Sequence, residues 1–212
     1  MLLGLLSQSP AMFVLWLLAV FYAITIHEYA HALAATMLGD YTARNEGRLT
    51  LNPFAHIDIM GMILLLVVGF GWGKPVPFNV YVLKKPKLYS ALIGLAGPVS
   101  NLLSIVFFGL LLKVLLGGGY ITPDNLLTQF LVFLLLLNSV LMLFNLIPIP
   151  PLDGSKLLLS VLPRTWDAFA NFLEHYGPFI VLALVLLDNF GGLNIFGGLF
   201  SGVQSFIFKI FG

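Results

Sequence analysis

Cysteine is absent from the chain, which excludes disulfide frameworks, thiolate metal sites and cysteine nucleophiles; any bound metal has to be held by nitrogen and oxygen. Charge is scarce too. Only 9% of the 212 residues are Asp, Glu, Lys or Arg, the formal net charge is +1, and no long Lys/Arg run occurs, so no nucleic-acid partner is expected. Internal repeats and low-complexity tails are missing as well. What fills the chain is apolar: 59% of residues are hydrophobic and the mean hydropathy is +1.02, far outside the balance of a soluble globular domain.

Several apolar runs reach about 20 residues, the length of helix that crosses a hydrocarbon layer about 30 Å thick. This predicts an all-α polytopic membrane protein with about four to six membrane helices, folded as one membrane-embedded domain over residues 1 to 212. Its core is expected at 10 to 165, and 166 to 212 should add a further span and an amphipathic helix. A first helix is predicted from Pro10 to Leu38, with Pro10 suited to a first turn and Gly39 to a stop. That run is too long for a signal peptide and no Lys or Arg precedes it, so it reads as a retained span.

The polar stretch "GDYTARNEGRLTLNP" follows, and its "NEG" between alternating residues predicts a small membrane-associated β-hairpin. Residues 57 to 70 are apolar but too few for a full crossing, which favours a re-entrant segment. "GWGKPVPFNVYVLKKPK" reads as an irregular loop with extended pieces. Helices are predicted at about 88 to 116 and 126 to 147, a short one after Asp153, and another span at roughly 172 to 188. At 195 to 211 the spacing of Ile195, Leu199, Val203, Phe206 and Ile210 predicts an amphipathic helix at the membrane interface, with a tilted span as the alternative.

Arg44, Arg48, Lys74, Lys84, Lys85, Lys87, Lys156 and Arg164 fall in three connections, which should face the cytoplasm. The N-terminus is then expected outside a multi-pass cell-membrane protein.

Against this background "TIHEYAH", residues 25 to 31, is an expensive insertion, because intramembrane acidic and basic groups cost at least about 2.5 to 3.5 kcal/mol each. His27 and His31 are four apart, so a helix presents both rings to one metal, and Glu28 sits beside them. Two histidines and a carboxylate around zinc leave a position for water, and a nearby glutamate can take that water's proton. A satisfied polar cluster between helices is the plain alternative.

For the third ligand the candidates are His56, Asp58, Asp153, Glu174, His175 and Asp188. His31 and His27 lie seven and eleven residues before Leu38, which places them about 10 to 17 Å from the helix end. Asp153 follows a helix that should return to the same side, where Pro148, Pro150 and Pro151 stop it, and is the best placed carboxylate. His56 stands in reserve. Asn52, Asn101 and Asn145 could line a polar funnel for water, or Asn101 could simply bond across the close-packed small residues Gly94, Ala96 and Gly97.

"HEYAH" at 27 to 31 and "NLIPIPPLDG" at 145 to 154, with "GRLTLNPFAHID", "GFGWGKPVPFN" and "AGPVSN" between them in order, resemble the site-2 protease family of intramembrane zinc metalloproteases. Ile59 stands where that family usually has Pro. The resemblance implies one Zn²⁺ per chain held by His27, His31 and Asp153, Glu28 as catalytic base, and Asn145 positioning substrate or transition state. It implies a transmembrane protein as substrate, cleaved within the lipid bilayer. No PDZ or CBS domain fits the short connections, so a minimal family form is expected. Asn101, His56, Gly73, Lys74 and Pro75 are further candidates for substrate contact or access, since the loop around them could pair with an unwound substrate. A metal-ion transporter and a non-catalytic binder of membrane helices are the competing readings. A transporter would need ionisable groups along a route across the bilayer, and the outer half of the chain has almost none.

Overall fold

The computed structural model describes residues 6–192 and 194–211. Helix α1 (Pro10–Met37) opens on Pro10, whose missing N–H costs nothing in a first turn. It is apolar almost all round, so the size of its residues, not their polarity, marks the packed side. Ala19, Ala23, Ala32 and Ala35 join Trp16, Val20, His27 and His31 along one buried stripe, and the alanines let neighbouring helices approach closely.

The hairpin expected next is not formed. Residues 42 to 45 make one helical turn, α2 (Thr42–Asn45), and the described residues contain no strand, only an isolated antiparallel bridge between Ile57 and Gly73. The cause is capping chemistry. Asp40 Oδ1 accepts from the Thr42 amide (3.0 Å) and hydroxyl (2.6 Å), which starts the turn. Gly47 then closes it at φ +71°, while the Gly47 and Arg48 amides donate to the carbonyls of Arg44 and Ala43, a Schellman ending. The glycine that suggested a hairpin turn is a helix stop.

Helix α3 (Ile59–Val68) begins at Asp58, which accepts from the Gly61 amide, and ends at Gly69. Ten residues of helix span about 15 Å, half of a hydrocarbon layer. The bridge between Ile57 and Gly73 brings the two ends of this segment side by side.

Helix α4 (Pro86–Gly117) is central, packing on α1, on α5 (Leu126–Asn145) and on α6 (Asp153–Val161). Helix α7 (Asp167–Gly191) starts earlier than the predicted span, because the polar "DAFANFLEH" segment joins the helix. Its Leu173, Val181 and Val185 are buried, and Gly177 lies against Pro150. Helix α8 (Ile195–Phe211) docks on α5 and α4, with Ile207 buried and the Phe211 ring against Gly109. Among the described residues four helices, α1, α4, α5 and α7, are long and apolar enough to cross a membrane.

Two apolar clusters hold the bundle. One joins Ala19, Leu112, Leu131, Leu134, Leu135 and Ile207; the other joins Ala35, Ile93 and Leu83, with Phe78 and Tyr89 packed against it. A buried polar layer separates them, containing His27, His31, Asn101, Asn138 and Asp153.

Candidate metal centre

His27 and His31, one turn apart on α1, meet Asp153 at the start of α6, and these three residues could hold a metal ion. Their Nε2 atoms are 3.0 Å apart, and each lies 3.0 Å from Asp153 Oδ2. The protons decide what this triangle means. His31 Nδ1 is 2.7 Å from the Ile93 carbonyl, an acceptor only, so Nδ1 carries the N–H and Nε2 presents its lone pair. His27 Nδ1 is 2.6 Å from Asn101 Oδ1 and donates likewise. Asn101 is oriented in turn by its Nδ2, which donates to Asn138 Oδ1 (2.8 Å) and the Ala23 carbonyl (3.3 Å), and Asn138 Nδ2 donates to the Leu134 carbonyl (2.7 Å).

With both rings neutral, two imidazole lone pairs and a carboxylate oxygen converge, a donor set that suits a cation. A tetrahedral zinc ion with bonds of about 2.0 to 2.1 Å separates its ligands by about 3.3 Å, so the three atoms fit with an opening of a few tenths of an ångström. Lys156 Nζ binds the other carboxylate oxygen, Asp153 Oδ1, at 2.9 Å, which leaves Asp153 one oxygen for the cluster. The same ammonium lies 5.1 Å over the Phe78 ring.

Gly97 completes the enclosure. A Cβ there would fall 2.4 Å from His31 Nε2 and 2.7 Å from His27 Nε2, so only glycine lets α4 pass beside the two rings.

A cavity of about 450 Å³ opens onto the cluster, lined mainly by apolar groups of α1, α5, α7 and the 70 to 78 loop, with Glu28, Asn145 and Lys156 among its polar members. Glu28 accepts a hydrogen bond from the Val76 amide at 3.1 Å. Asn145 faces the cavity, with its Nδ2 turned back to the Leu141 carbonyl.

Other expectations are redrawn. Asn101 is fully buried behind His27, and Asn52 caps the turn at Phe54, so the asparagines do not share a funnel. His56 is fully buried with Nε2 on the Thr50 carbonyl and lies outside the three-residue cluster, as do Asp58, Glu174, His175 and Asp188. Gly73 and Pro75 line the cavity; Lys74 instead pairs its amide with the His56 carbonyl. The sequence reading missed Asn138, Gly97 and Lys156 as parts of the site. An asparagine inside "LVFLLLLNSVLML" was a visible cost of that kind, but nothing in its spacing pointed to His27.

Among known proteins, the chain is 42% identical over 193 residues to YwhC of Bacillus subtilis (strain 168), covering 89% of this chain and 87% of that protein. It is 33% identical over 151 residues to MJ0611 of Methanocaldococcus jannaschii, covering 71% and 72% respectively. Rip2 of Mycolicibacterium smegmatis matches at 30% over 179 residues, 81% of this chain and 64% of Rip2. All three are named as candidate zinc metalloproteases. No family profile and no solved structure matches the chain. With its apolar helices and a cluster able to hold a metal, the chain belongs to the zinc metalloprotease family of YwhC and MJ0611.

Proposed function

We propose that the chain is an intramembrane zinc endopeptidase of the site-2 type, which hydrolyses a peptide bond in or near a transmembrane helix of another membrane protein. The observation that carries this reading is the convergence of two imidazole nitrogens and a carboxylate oxygen beside Glu28, at the wall of an apolar cavity within a bundle of membrane-length helices.

His27, His31 and Asp153 would hold one zinc ion. When bound, zinc supplies Lewis-acid polarisation of the reacting carbonyl and a water that is nucleophilic near neutral pH. Glu28 has one oxygen on the Val76 amide and another available to the cavity. It takes a proton from the attacking water as the new C–O bond forms, then delivers it to the amine as the C–N bond breaks. Asn145, once turned from the Leu141 carbonyl, can donate to the oxygen of the reacting carbonyl. A substrate helix has to unwind before its carbonyls are accessible, and the extended 76 to 79 segment offers it an edge for strand addition. The basic connections argue for a centre reached from the cytoplasmic side and an N-terminus outside.

Purified protein with a membrane-spanning test substrate decides the reading. Cleavage should vanish in Glu28→Gln with zinc retained, and Asp153→Ala should lose zinc. Phe78→Pro should slow turnover with zinc retained; full activity there removes the strand-addition step. Equal processing by Glu28→Gln and the unsubstituted protein sinks the protease reading.

A further inference from the structure

We infer that Arg48 is a positioning residue for Glu28, acting through a single peptide group of the 73 to 76 loop. The inference rests on the proposed role of Glu28. Arg48 lies in the polar stretch after α1, yet it is only 5% exposed and forms no ion pair among the described residues. A guanidinium buried without a carboxylate is costly, and its Nε lacks any partner. Its two remaining nitrogens both serve one short segment: Nη1 donates to the Pro75 carbonyl at 3.1 Å and Nη2 donates to the Lys74 carbonyl.

The Pro75 carbonyl and the Val76 N–H belong to the same planar peptide group, and in a trans peptide they point in opposite directions. A guanidinium fixed on the carbonyl side therefore aims the N–H away from itself, and that N–H donates to Glu28 Oε2. The peptide is held between a cation and an anion, so both of its hydrogen bonds are charge-assisted and each polarises the other. Its surroundings restrict it further. Lys74 donates to the His56 carbonyl at 2.8 Å, Gly73 bridges to Ile57, and prolines at 75 and 77 fix two φ angles.

Gly73 passes close to the base as well. A Cβ built on it would lie 3.8 Å from Glu28 Oε1 and 3.0 Å from Ile24 Cγ2. The "GR" and "GKPV" stretches, 26 residues apart, thus form one device that pins Glu28 Oε2 and leaves Oε1 as the oxygen for proton transfer.

The test compares Arg48→Met and Arg48→Lys with the unsubstituted protein in detergent, by zinc content, amide hydrogen exchange of the 73–78 segment, and cleavage of a membrane-spanning test substrate. Arg48→Met should keep its zinc, lose exchange protection at 73–78, and lose about tenfold or more in kcat with a smaller change in KM, because the base is misplaced while the ligands are untouched. Arg48→Lys should recover part of both. Val76→Pro removes the N–H at Glu28 while leaving Arg48 in place and should reproduce the kcat loss, with no further loss when combined with Arg48→Met. Unchanged protection and kcat in Arg48→Met, or losses that multiply in the double variant, overturn the inference. If Arg48→Met does not fold, Val76→Pro decides alone: full kcat there overturns it. Absence of Glu28-dependent cleavage by the unsubstituted protein would sink the protease reading, and the exchange measurement would still decide whether Arg48 holds the loop.

Discussion

The direction of each hydrogen bond around His27 is set at a backbone carbonyl three residues away in the chain of contacts. Leu134 C=O can only accept, so Asn138 turns its NH₂ towards it and its oxygen towards Asn101; Asn101 then shows its own oxygen to His27. Remove Asn138 and only the longer contact to the Ala23 carbonyl (3.3 Å) still orients the Asn101 amide, so it turns more readily, offering NH₂ to Nδ1 and favouring the tautomer whose proton sits on Nε2. Asn138→Leu should therefore weaken zinc binding by about 10- to 100-fold, the usual range for a partner behind a ligand, while the helices stay folded. Competition with a chelator of known affinity measures this; an unchanged zinc Kd would show that the asparagine pair is packing only. That His27 and His31 could share a metal was legible in the sequence because helical spacing is local, and Asp153 stood out because a helix returning to the same side ends just before it; the structure adds that the three converge. Asn138 and Gly97 serve the same atoms from other helices, and no one-dimensional pattern records which turn of α4 or α5 will lie beside which ring.

Short elements carry their own logic. The end of α1, the α2 turn and the loop entering residues 79 to 83 are joined at Asp40, which is 1% exposed and accepts from the Thr42 amide, the Thr42 hydroxyl and the Asn79 amide. Burial alone would raise its pKa, but these three donors hold it below the ordinary 3.8. A folded-state pKa below the unfolded one gives stability that is present above the unfolded value and is lost as pH falls through the folded value. The thermal midpoint should therefore drop on acidification from roughly pH 5 to pH 3, and Asp40→Asn should start lower and show less of that drop. Equal slopes for both proteins would place the acid sensitivity elsewhere. Asp40 also explains the missing hairpin, since a side chain that caps the next turn competes with strand pairing. The long helices were legible from apolar length alone. The start of α7 was not, because Asp167 and Asn171 interrupt the apolar run before residue 172 and look like loop composition until the helix they open is known.

At the scale of the whole molecule, the polar layer divides the bundle into two apolar clusters and is itself a junction of distant chain segments. Two of the candidate ligands come from α1 and the third from α6, 122 and 126 residues later, with α4 packed between them through Gly94 and Gly97. A metal ion there ties the first helix to the segment after α5, a connection that the lipid-facing apolar surfaces cannot supply, since hydrocarbon solvates exposed leucines as well as a neighbouring helix does. Without the ion, two imidazole nitrogens and a carboxylate oxygen face one another in a buried cluster, and the layer has to rearrange or share protons among them. Binding to the folded state alone stabilises it by about 4 kcal/mol at a thousandfold excess over Kd. Chelation should therefore lower the unfolding temperature of the zinc-loaded protein by several degrees, reversibly on adding zinc back. Asp153→Ala and His31→Ala should start near the chelated value and respond to neither treatment, whereas Glu28→Gln, which keeps all three ligands, should respond like the unsubstituted protein. A melting temperature indifferent to chelation in the unsubstituted protein would mean that the cluster is not where the metal sits, because an ion shared by α1 and α6 cannot leave without loosening both.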